Sequence, residues 1–152
     1  MNIADIRTNL KAALGAIRTR NGFANDIGSV SDEFVYSETT AYPALVVVIG
    51  DIIFNDKAGN YCEVQLKVNI YALVKNLTAP QTELLSVTND IYKCLAADPH
   101  LTAACMWIRP LRAATAGDVF NLEGCAPGFS PPHGCMRVEC EALYRFYRPD
   151  GI

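Results

Sequence analysis

Four residues in the C-terminal third have side chains that bind zinc: Cys125, His133, Cys135 and Cys140. Thiolate and imidazole are the usual ligands of that metal. Their spacing argues against a site, because there is no Cys-x-x-Cys pair and no two-site ribbon pattern. Cys140 also falls on the apolar phase of an alternating segment and is expected to point into a core, while the other three sit in or beside a loop. Nucleophilic catalysis has even less to work with. The two histidines are His100 and His133. His133 lies two residues from Cys135 in a Pro-rich stretch, which is no Cys–His signature. The chain has no Gly-x-Ser-x-Gly elbow and no phosphate-binding Gly-Lys-Ser/Thr loop. Carboxylates pair at Asp32-Glu33 and at Glu139 with Glu141, but on predicted solvated faces, whereas glycosidases need two carboxyls across a cleft. The expectation is a non-enzyme with no catalytic, cofactor-binding or metal residues and no cofactor.

The remaining thiols are Cys62, Cys94 and Cys105. Cys62 and Cys140 follow the apolar phase of predicted strands and Cys94 lies beside a helix stripe. These three read as small buried hydrophobes. No secretory h-region opens the chain, and the longest apolar run, Ala44 to Ile49, is far short of the ~20 residues that cross a bilayer. Synthesis and use in a cytoplasm, or assembly into a particle there, is the expectation, with thiols reduced. The net charge of −3 speaks against sequence-specific nucleic-acid binding, which needs a basic stripe. Trp107, Phe120, Phe129, Tyr144, Phe146 and Tyr147 cluster late, with only Arg145 and Arg148 among them. They are expected to pack a sheet or a protein interface rather than stack on bases.

The elements that must position these residues follow from periodicity. At 152 residues the chain predicts one domain, 1–152, with a core of useful size. Ile3, Ile6, Leu10, Ala13, Leu14 and Ile17 recur at helical spacing and predict a helix over 2–19, stopped by Asn21-Gly22. A short strand is expected within Ile27 to Tyr36. Pro43 to Phe54 predicts a strand whose middle is apolar on both faces, hence covered on both sides. Asn55 to Asn60 is a polar turn. Tyr61 to Val74 alternates, with Cys62, Val64, Leu66, Val68, Ile70 and Ala72 on one face. Thr78 reads as an N-cap with Gln81 completing a capping box. Leu84, Val87, Thr88, Ile91 and Leu95 form the inward stripe, with Asp90 and Lys93 between them, and Asp98-Pro99 ends the helix. Cys105 to Ala114 predicts a strand at an edge, or bulged, at Pro110. Val119 to Glu123 predicts a short strand, 116–134 an irregular loop or inter-subunit arm, and Cys135 to Arg148 the last strand. The fold class is α+β: a mainly antiparallel sheet of about five strands with two helices packed on it.

This order of elements, with Tyr42-Pro43-Ala44 entering an apolar strand and Ala97-Asp98-Pro99-His100-Leu101 closing the second helix, resembles tailed-bacteriophage tail terminator proteins, also called tail-completion or minor tail proteins. Related sequences often follow that leucine with a Gly pair; here Thr102-Ala103-Ala104 stands in its place. The resemblance implies a structural virion protein at the head-proximal end of the tail. It implies a homo-oligomeric ring, commonly a hexamer, that caps the tail tube protein and meets the head-side connector or stopper protein, without membrane contact. Another neck or tail-tube component shares the same partners. A small cytosolic zinc or thiol enzyme and a ligand-binding α+β domain are the readings from other classes. Three segments offer material for a ring: Pro43 to Phe54, Ala116 to Gly134, and Asn55 to Asn60.

Overall fold

A computed structural model of the chain describes residues 2–33, 41–56, 60–76, 78–115 and 133–147. Helix α1 spans Ile3–Gly15 and α2 spans Pro80–Ala97. The strands are β1 (Ser29–Ser31), β2 (Ala44–Asp56), β3 (Tyr61–Lys75), β4 (Trp107–Thr115) and β5 (His133–Tyr147). They form a five-stranded sheet in the order β1-β2-β3-β5-β4. The β2–β3, β3–β5 and β5–β4 pairings are antiparallel. The β1–β2 pairing is parallel, so the sheet is mixed and the fold α+β as expected. The proposed strand Val119 to Glu123, residue Cys125 and most of the 116–134 segment lie outside the described residues.

Alternation on β3 decides the two faces. Cys62, Val64, Leu66, Val68, Ile70 and Ala72 are buried and pack with Ile6, Leu10 and Leu14 of α1 and Leu84, Val87, Ile91 and Leu95 of α2. The opposite face carries a smaller apolar cluster of Ala44, Val46, Leu73 and Cys135. Neighbouring strand residues share a face, so β5 divides in the same way: Met136, Val138, Cys140, Ala142 and Tyr144 pair opposite the helix-side residues of β3.

Several boundaries differ from the sequence expectation. Helix α1 ends at Gly15, and a 3₁₀ turn over Thr19–Asn21 follows, closed by Gly22 at φ 90°. Gly22 therefore stops the turn and not the helix. The start of α1 is a capping box, with the Asn2 side chain accepting from Asp5 N at 2.9 Å and the Asp5 carboxylate accepting from Asn2 N at 3.0 Å. Helix α2 does not use Thr78 as its N-cap; the cap position is Ala79, without a side-chain bond, and Pro80 opens the helix. Asn76 does the work instead. Its Oδ1 accepts from the backbone N–H groups of Thr78 and Ala79 at 3.0 and 2.9 Å, and its Nδ2 donates to Glu83 at 2.9 Å. An Asx turn before the helix competes with a Ser/Thr cap because the short amide reaches two successive N–H groups. The predicted turn at Asn55 also starts later, since β2 runs to Asp56.

Candidate assembly surfaces

The zinc-type residues are not brought together. Cys135 and Cys140 are separated by an odd number of positions on β5, so they point to opposite faces of the sheet. Cys135 is buried with Ala44, Val46 and Leu73, and Cys140 is buried in the helix-side core. Cys125 lies outside the described residues, and so does the His133 side chain. Among the described residues no group of three or more His, Cys, Asp or Glu is placed to hold a metal ion. His100 ties its own loop, with Nδ1 2.6 Å from the Met106 carbonyl.

The five described cysteines are buried. Desolvation pushes the Cys140 thiol up to about 12. Desolvation, followed by the Asp98 charge, takes Cys94 and Cys105 to about 11. A thiol so shifted is a poor nucleophile at neutral pH, because the thiolate is the reactive species.

Paired carboxylates are also accounted for. Asp32 faces Arg7 and Lys11 of α1 at 3.6 and 3.5 Å. Glu139 meets both Arg112 and Arg137 at 3.2 Å, and Glu141 meets Arg109 at 3.2 Å. With Arg145–Glu63 at 3.0 Å, these make a charge ladder across β4, β5 and β3 on the face away from the helices. Arg109 lies over the Trp107 ring and Arg145 over Tyr61, at 4.6 and 5.4 Å. Of the late aromatics, Trp107 thus serves the sheet surface and Tyr144, beside Phe146 at 6.3 Å, the core side; Phe120, Phe129 and the Tyr147 side chain lie outside the described residues.

Strand β2 behaves as two half-strands. Ala44–Val47 is buried throughout, as the two-sided apolar pattern requires. Beyond it Val48 and Ile49 are half-buried against the two clusters, and Gly50 to Phe54 are exposed. Strand β1 pairs only with Ala44, Leu45 and Val46, so among the described residues the rest of β2 has a neighbour on the β3 side alone. A bulge between Ile49 and Ile52 resets the register. Past it, Ile52 and Phe54 pair opposite Leu66 and Val64, and Ile53 opposite Gln65. These three side chains are 39%, 62% and 44% exposed. Fully burying an aliphatic or aromatic side chain is worth about 1.5–3 kcal/mol, so three in succession left in water mark a surface that gains from cover. Asp51 and Asp56 flank them and are exposed.

A second apolar surface lies at the far edge of the sheet. Thr88 and Tyr92 of α2 and Pro110, Leu111, Arg112 and Ala113 of β4 line a shallow groove of about 190 Å³ floored by Val138. Tyr92 is 61% and Leu111 52% exposed. The groove exists because β4 bulges between Pro110 and Arg112, which lifts Leu111 out of the ladder. Periodicity alone missed it. The available signal was Leu85 and Tyr92, seven positions apart on α2 and outside its inward stripe, hence on one face.

A further concavity, open and of about 420 Å³, is lined by Arg18, Thr19, Arg20 and Asp26. Hydrogen bonding to the Thr19 backbone holds the Asp26 carboxyl below its ordinary value, helped by the Thr19 hydroxyl and by Arg18 and Arg20, against some desolvation. It reads as a closed local turn, with Asp26 already satisfied by Thr19 N at 2.7 Å. No helix among the described residues is long and apolar enough to cross a membrane.

No family model matches the chain, and no curated protein matches it. Among solved structures it is similar to the sheath/tube terminator, in the extended state, of an extracellular contractile injection system called PVC. The two share 14% identity at a TM-score of 0.49, over 99% of this chain and 59% of that one. The chain thus spans less than two thirds of that protein's length.

Proposed function

We propose that this chain is a structural virion protein of the tail terminator kind. It is a subunit of a ring that caps the tail tube and meets the head-side connector, acting by surface complementarity without turnover. The observation that carries the reading is the outer half of β2, where Ile52, Ile53 and Phe54 are exposed and β3 is the one strand alongside among the described residues. An open, apolar sheet edge is a pairing or docking surface, and here it occurs on a scaffold carrying Tyr42-Pro43-Ala44 and Ala97-Asp98-Pro99-His100-Leu101. The burial and suppressed ionisation of Cys94, Cys105 and Cys140 fit a structural role better than a thiol enzyme.

Gold-labelled antibody against the chain, applied to tailed particles released by cells that express it, tests the reading. Label confined to the head-proximal end of the tail is expected. Label along the whole tail would make the chain a tube component, and particles without label would remove the proposal.

A further inference from the structure

We propose that Asn21-Gly22 is a deamidation site that the native fold holds shut, so that the product marks chains whose 18–26 segment has opened. Asn21 is the asparagine of this chain that glycine follows. Glycine carries no side chain to shield its nitrogen and has the widest choice of backbone angles. Both properties suit the reaction. The Gly22 nitrogen attacks the side-chain carbonyl carbon of Asn21 and a five-membered succinimide closes. The carboxamide nitrogen leaves as ammonia, taking the Gly22 proton. Water then adds to either imide carbonyl and one C–N bond breaks, which gives aspartate or isoaspartate at position 21. Water is the one co-reactant.

Burial does not prevent this chemistry, because Asn21 and Gly22 are both exposed. Hydrogen bonding stands in the way. The Gly22 N–H, whose proton must be lost, donates to the Thr19 carbonyl at 3.1 Å. The Asn21 carboxamide nitrogen, the leaving group, donates to the Ala16 carbonyl at 2.8 Å, which directs the side chain to the end of α1. Asn21 also lies in the 3₁₀ turn Thr19–Asn21, and ring closure needs rotation about its Cα–C bond out of that turn.

The turn is tied on both sides. Asp26 Oδ1 accepts from Thr19 N at 2.7 Å and from the Thr19 hydroxyl at 3.2 Å. On the far side, Lys93 of α2 donates to the Gly22 carbonyl and lies over the Phe23 ring at 5.2 Å. Asp90 accepts from Ala24 and Asn25, and the Ser86 hydroxyl from Asn25. Freeing the Asn21–Gly22 peptide therefore means lifting the segment from α2, a local opening with a free energy of its own below that of global unfolding. The change leaves a trace in the fold: an aspartate carboxylate has no N–H for the Ala16 carbonyl.

The test incubates the full chain at mildly alkaline pH, native and in guanidinium chloride, and reads conversion at each asparagine by peptide mass mapping. In the unfolded chain Asn21 is expected to convert first. In the native chain it is expected to convert at least about tenfold more slowly, because two hydrogen bonds must open together. Asp26→Ala frees one side of the turn. Lys93→Met frees the other and keeps an apolar stem over Phe23. Each is expected to speed native conversion at Asn21 by about threefold or more and to leave the unfolded rate unchanged. Should one variant fail to fold, the other reads the same hold. Acceleration confined to Asn21 marks local opening, whereas acceleration at every asparagine would mean global loss of structure and count against the hold. Equal native and unfolded rates, an unfolded chain in which another asparagine converts first, or folded variants no faster than wild type would each overturn the proposal.

Discussion

Leu101, Thr102 and Ala103 occupy left-handed backbone in succession, with φ of 46°, 55° and 67°. That conformation costs an L-residue about 1–2 kcal/mol. Asp98 holds the strained loop, accepting from Thr102 N and from the Thr102 hydroxyl at 3.1 Å each. Ala103 is exposed, so Ala103→Gly removes strain and no packing. It should stabilise the chain by about 0.5–1 kcal/mol after the added freedom of the unfolded chain is subtracted, seen as a higher urea midpoint. Asp90 is the opposite case, a polar residue between members of the inward stripe of α2. It is 4% exposed and accepts from Ala24 N, Asn25 N and Asn25 Nδ2 at 3.1, 2.9 and 2.8 Å. Asp90→Ala strands these donors and should cost about 2–4 kcal/mol, with Asp90→Asn losing less because one acceptor remains. Chemical denaturation of both variants would decide, and equal losses would mean that charge, rather than hydrogen bonding, pins the segment.

At the level of elements, the start of α2 shows how a local rule is displaced by a neighbouring one. Thr78 and Gln81 satisfy the capping-box pattern, yet Asn76 reaches Thr78 N, Ala79 N and Glu83. Asn76→Ala should therefore lower stability by about 1–2 kcal/mol and Thr78→Ala by less than about 0.5 kcal/mol; the reverse ranking in thermal melts would restore the sequence reading. The same helix needs Gly134 on β5, since a Cβ there would stand 2.9 Å from Leu84 and 3.2 Å from Pro80. Gly134→Ala should cost about 1–3 kcal/mol by pushing the first turn of α2 off the sheet. A melt that matches wild type would show that the turn relaxes freely.

Across the whole molecule, the buried thiols couple folding to alkaline pH. Cys94 and Cys105 are raised from 9.0 to about 11 and Cys140 to about 12. The folded state then holds protons that the unfolded state has released. The stabilisation is complete below about pH 9 and is lost as pH rises through about 11 to 12. A fall in the urea midpoint across that window is expected, and the same thiols should resist alkylation at neutral pH until denaturant is added. Rapid labelling of Cys94, Cys105 or Cys140 in the native chain, located by peptide mass, would contradict the burial.

Local pattern determined much of this protein. The alternation of β3 and β5, the stripe of α2 and the Asp98-Pro99 stop each depend on residues close together in the chain, where periodicity and proline geometry act directly. The edge position and bulge of β4 were likewise readable from Pro110. Other features depend on partners far away in sequence. Strand β2 is apolar along most of its length, and among the described residues the three-residue reach of β1 decides where its strand neighbour on that side stops. Asp90 looks like a surface acid until Ala24 and Asn25 fold over it. The groove at Tyr92 and Leu111 exists only because β4 packs beside α2. Chemical type is written along the chain, but which faces are left without cover is a property of long-range packing, and the surfaces proposed for assembly are of that second kind.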